Sequence, residues 1–150
     1  MKISALLFIA VVAATNVAHA EVEVEDTCWT HVSRGRADRD IEFVMRTYKD
    51  TELNKEVGAI IQYAGSKETI PLVFQNFQTD LDDPGSGNYE LTRVEVINGK
   101  AGGEYVFSQT GQGIKQGRGV AYKKSKTSKP ILFFYTPESL AKCSFPKAQK

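Results

Sequence analysis

From Ile41 to Tyr135, short runs of alternating apolar and polar residues follow one another, separated by turn residues. A period of two places successive side chains on opposite faces of a strand, whereas an amphipathic helix needs apolar residues three and four apart. In 41–48, Ile41, Phe43 and Met45 share one face, with Glu42 and Arg46 on the other. In 57–64, Val57, Ala59, Ile61 and Tyr63 fall together. In 68–79, Ile70, Leu72 and Phe74 do the same, and Pro71 argues for a free edge or a bulge there. In 89–97, Val94 and Val96 oppose Arg93 and Glu95. Residues 104–109 and 118–124 keep the period, and Ile131 to Tyr135 is apolar on both faces, as expected of a buried strand. The start of the chain beyond residue 20, Glu21 to Glu25, also alternates and is read as a short edge strand or a disordered leader.

The punctuation agrees with this pattern. Asn98-Gly99 is the strongest two-residue hairpin signal, because a type I′ turn needs positive φ at both positions. Ala64-Gly65-Ser66, Asp83 to Gly87 and Lys126-Thr127-Ser128 are further turns, and the charged stretch Ser33–Asp40 reads as a loop. Thr136-Pro137-Glu138 has the residue order of a helix start. The expected fold is therefore mainly β: an antiparallel meander of seven or eight strands forming a small barrel or a sandwich, with a short C-terminal helix. Seven of the 12 glycines lie within 99–119, which fits bends and bulges where a small barrel closes.

The start of the chain leads to the expectation of a protein outside the cytoplasm. Residues 1–20 combine Lys2, an apolar run around Leu6–Val12 and an Ala18-His19-Ala20 ending, the order of a cleaved secretory signal. The apolar run is too short to span a bilayer, so no membrane span is expected. Residues 21–150 are left as a single β-rich domain, periplasmic or secreted. The only two cysteines, Cys28 and Cys143, are expected to form a disulfide in an oxidising compartment.

Charge is unevenly distributed. Residues 21–112 carry 9 basic and 17 acidic side chains, a net of −8, while 113–150 carry 9 basic and one acidic, a net of +8. The basic half holds the most suggestive constellation, Lys115, Arg118, Tyr122, Lys123, Lys124, Lys126 and Lys129, expected to bind a protein or other anionic macromolecule. Nucleic acid is not expected as a partner in that compartment.

Catalytic groups are sparse. His31 is the one histidine beyond the signal, so multi-histidine metal sites are excluded. The acid-rich loop Asp80–Glu90 departs from a calcium loop, with Pro84 at position 5 and Glu90 at position 11. No metal, cofactor or catalytic residue is expected. The sequence favours a non-enzymatic binding module docking on a macromolecule, as inhibitors of secreted enzymes and immunity proteins do. A barrel carrying a small apolar ligand is the alternative, with Phe43, Tyr63, Phe74, Tyr105, Phe107 and Phe133 lining it. A small hydrolase or cyclase using carboxylates is a third reading.

Overall fold

A computed structural model describes residues 21–32, 40–80, 84–111 and 117–137. The expected signal, the expected loop except Asp40, Lys115, the expected helix beyond Pro137 and Cys143 lie outside the described residues, and Thr136, expected to cap that helix, ends a strand.

The described residues form a closed barrel of eight antiparallel strands, each paired with the next in sequence. They are β1 (Val22–His31), β2 (Ile41–Asp50), β3 (Lys55–Tyr63), β4 (Ile70–Thr79), β5 (Tyr89–Ile97), β6 (Lys100–Thr110), β7 (Gly117–Lys123) and β8 (Ile131–Thr136). β8 returns to β1 through Cys28–Thr136, Trp29–Tyr135 and Thr30–Phe134. The choice between barrel and sandwich, open in the sequence, is resolved by this closure. The acidic alternation from residue 22 belongs to β1, which continues to His31 and pairs along its full length with β2.

Asn98 and Gly99 have φ of 51° and 74°, as the type I′ turn requires, and join β5 to β6. His31 is packed at the closing seam: its Nδ1 lies 2.8 Å from the Leu132 carbonyl oxygen and its ring meets Phe133 edge-on.

The packed part of the interior lies toward the Asn98–Gly99 end. Phe43, Ile61, Tyr105, Val120 and Phe133 are almost fully buried there. Phe43 touches four other rings, those of Trp29, Tyr63, Tyr105 and Phe133, with centroids 4.9–6.4 Å apart. Burying one such ring contributes about 1.5–3 kcal/mol from surface removal alone.

Alternation fails at three places, each with a geometric cause. A register shift between β2 and β3 pairs Tyr48 with Gly58 and Lys49 with Glu56, leaving Val57 as an extra residue. Val57 is consequently 58% exposed, away from the face it shares in sequence with Ala59 and Ile61. Phe74, expected inside, is 54% exposed, because β4 pairs with β3 only through Ile70, Pro71 and Leu72 and the wall opens beyond them. β8 is not a strand buried on both faces: Phe133 points into the core, while Leu132 and Phe134 lie at least half exposed on the outer face. Pro71 itself lies in the paired segment, opposite Ile60; the open edge begins at Val73, and the bulge lies between Phe74 and Asn76 on the β5 side.

Candidate functional site: the open half of the barrel

β5 carries Tyr89, Leu91, Arg93 and Glu95 on its inner face, so the polar members of the Arg93–Val96 alternation point inward. Arg93 is 3% exposed. A buried guanidinium needs a partner, and the β3 bulge supplies one by turning Glu56 into the interior. Arg93 Nε donates to Glu56 Oε1 at 2.9 Å, and its Nη2 donates to Oε2 in a two-pronged pair. The same guanidinium lies 4.6 Å over the Phe107 ring.

Around this pair, toward the end where the N-terminal half of β1 lies, the interior is a cavity of about 300 Å³. Trp29, Phe107 and Leu91 form apolar wall, while Glu56, Arg93 and Arg118 supply charge. Trp29 is held by its Nε1 donating to Thr27 Oγ1 at 3.0 Å and by edge contacts with Phe107 and Tyr135. Arg118 sits 5.2 Å over the Tyr135 ring and makes no ion pair among the described residues. Glu25 also lines the cavity, on β1.

The other half of the interior is closed by a hydrogen-bond chain. Tyr105 Oη donates to Glu95 Oε1 at 3.0 Å, and the Gly103 backbone N–H donates to Glu95 Oε2 at 2.8 Å. Tyr63 and Tyr105 hydroxyls are 2.7 Å apart, so Tyr63 is the donor once Tyr105 has given its proton to Glu95. Burial is the main cause raising all three tyrosine pKa values here: Tyr63 is pushed up to about 12, and Tyr105 and Tyr122 are raised as well. Gly103 has no room for a side chain, since a Cβ there would lie 2.4 Å from the Tyr122 ring. Two glycines of the clustered set, 102 and 103, therefore make room for Glu95 and Tyr122.

The basic constellation expected from sequence comes apart on this frame. Arg118 and Tyr122 share the inner phase of β7 but lie at opposite ends of it, Arg118 at the cavity and Tyr122 against Tyr105 in the packed half. Lys123, Lys124 and Lys126 do meet, lining an outer groove of about 470 Å³ with Gly102 and Glu104. Lys129 is exposed in the same β7–β8 connection, whose turn is fixed by Ser128 Oγ donating to the Ser125 carbonyl at 2.9 Å. Cys28 points away from the interior and packs with Val44 and Ile60.

Sequence reasoning missed Glu56, Arg93 and Trp29 as cavity residues. Arg93 and Glu95 sharing a phase with Tyr89 and Leu91 was the available signal. Glu56 had none, because its orientation depends on a bulge. Among the described residues no group of three or more His, Cys, Asp or Glu side chains is placed to hold a metal, and no helix is long and apolar enough to cross a membrane. Comparisons with protein-family models, curated proteins and solved structures give no match to this chain.

Proposed function

We propose that the protein is a non-enzymatic binding barrel whose open half holds a small ligand with an anionic group and an apolar body. The observation that carries this reading is Arg118. It faces a cavity walled by Trp29 and Phe107 without a carboxylate partner among the described residues, while the charge of Arg93 is already matched by Glu56. A planar guanidinium stacked on a ring keeps its fork of donors available for a carboxylate or phosphate. The cavity has the volume of about ten liquid waters, room for a short-chain or single-ring molecule. The carboxylates offer less to a catalytic reading, since Glu56 is engaged by Arg93 and Glu95 by Tyr105 and Gly103.

Trp29 is the only tryptophan in the chain and lines the cavity, so its fluorescence reports occupancy. Titration with octanoate is expected to give a saturable change, and octanol of the same length a weaker one. Arg118→Gln should remove the preference for the carboxylate, about tenfold in Kd. If neither probe gives a saturable change, the reading fails.

The second reading is docking on an anionic macromolecule outside the cytoplasm. It is favoured by the convergence of Lys123, Lys124 and Lys126 on one groove. Both readings assume an exported chain that has lost residues 1–20 and carries a Cys28–Cys143 bridge. That protein would begin at Glu21 and weigh about two mass units less than its reduced form.

A further inference from the structure

We propose that the free edge of β4 is a pairing surface for a second copy of this chain. From Val73 to Thr79, β4 is hydrogen-bonded to β5 on one side only, and its pairing with β3 has ended at Leu72. On that open side these seven residues have no backbone partner among the described residues. All seven are exposed, although a strand in a barrel wall ordinarily buries every second side chain.

Unpaired edges in stable proteins are blunted by charge, proline, shortness or a bulge. Of these, 73–79 has only the bulge at Gln75. The run Val73-Phe74-Gln75-Asn76-Phe77-Gln78-Thr79 has no charged residue, in a chain that is 25% charged, and Pro71 lies before the free stretch. The facing edge of β3 does carry charge, at Lys55 and Glu56.

This neutrality selects the occupant. In a two-fold pair of antiparallel strands each residue meets its own neighbourhood, so any net charge on the edge would repel itself. The β4 bulge adds a second argument. By skipping Gln75 in the β5 register, it pairs Phe74 with Arg93 and Phe77 with Leu91, and so sets both phenylalanines on one face. Both rings are more than half exposed there, and Phe77 leans on Tyr89. With the two-fold axis between Gln75 and Asn76, Phe74 of each copy faces Phe77 of the other, and four rings form one cluster. Such a strand pair runs about 23 Å, a small interface, so the dimer is a weak one that forms at high protein concentration.

Sedimentation velocity on the purified protein, from about 1 µM to about 500 µM, is the test. The sedimentation coefficient should rise with concentration from the one-chain to the two-chain value. Gln75→Lys places a charge beside the axis at an exposed position and should weaken association by about tenfold or more. Phe74→Ser removes ring contact without adding charge and should act in the same direction. Both variants should melt with the native protein, which separates lost pairing from lost folding. A native chain that stays a monomer throughout, or a dimer indifferent to both variants, would overturn the proposal. Arg118 and Trp29 are intact in both variants, while Gln75 borders the outer lysine groove and Phe74 lies opposite Arg93, so sedimentation and not ligand binding is the readout.

Discussion

Toward the Asn98–Gly99 turn, the eight strands enclose aromatic rings edge to edge, and the buried polar atoms there form a closed chain from Tyr63 through Tyr105 to Glu95. Toward the other end, the same strands surround a cavity lined by two arginines: buried Arg93, matched by Glu56, and exposed Arg118, which makes no ion pair among the described residues. The difference comes from wall geometry more than from composition. In the packed half β3 and β4 are hydrogen-bonded, and the inner positions are filled. In the open half that pairing has ended, the β3 bulge has exchanged Val57 for Glu56 as the inward side chain, and Phe74, in the inner phase opposite Arg93, is left more than half exposed. Apolar packing is concentrated in the first half, and the second encloses the cavity.

The largest effect should come from truncating a packed ring. Phe43→Ala is expected to cost about 3–5 kcal/mol in denaturant unfolding, since it empties a site touching four other rings. Leu91→Ala, at the half-buried cavity wall, should cost about 1 kcal/mol. Equal losses would mean that the halves do not differ in packing.

Glu95→Ala should cost about 2–3 kcal/mol, because it leaves the Tyr105 hydroxyl and the Gly103 N–H buried without their acceptor. A variant as stable as the native chain would show that water reaches this network, and the distinction between the halves would weaken.

A smaller and graded effect is expected in alkali. Tyr63, with its pKa raised to about 12 in the fold against 10.0 unperturbed, stays protonated where the unfolded chain would ionise. A raised folded value stabilises the protein fully below about pH 10. That contribution is lost as pH climbs toward 12, and Tyr105 and Tyr122 shift in the same direction. Stability should therefore fall from about pH 10 upward, and absorbance at the phenolate band should show tyrosines that ionise only with unfolding. Phenolate absorbance from all six tyrosines reaching its limit before any unfolding would place them in water.

Much of the frame was legible in the sequence because it depends on local chemistry. Alternation located the strands, and Asn98-Gly99 located a hairpin. The candidate cavity was not legible, because it arises where local rules are overridden. The period of two places Val57 inside and Glu56 outside, and one extra residue in the ladder reverses them. Clustering lysines with Arg118 along the chain overlooked that neighbours on a strand face opposite ways and that its ends lie far apart. Ile131–Tyr135 looked doubly buried on composition alone, whereas a barrel wall has a wet outer face, on which Leu132 and Phe134 lie.

The closing seam has a kinetic consequence. Seven of the eight strand pairings join sequence neighbours, and the remaining one joins β1 to β8 across about a hundred residues of chain. Hairpins between neighbours form quickly, while a contact of such long separation must first bear the loop entropy of everything between. During synthesis the nascent chain is thus a growing sheet with a bare β1 border, and it becomes a ring only after Ile131–Thr136 has emerged. Ring closure is expected to be the late step of folding, and a truncation before Ile131 adds bare borders at β1 and β7 to the β4 edge that the closed barrel already leaves open.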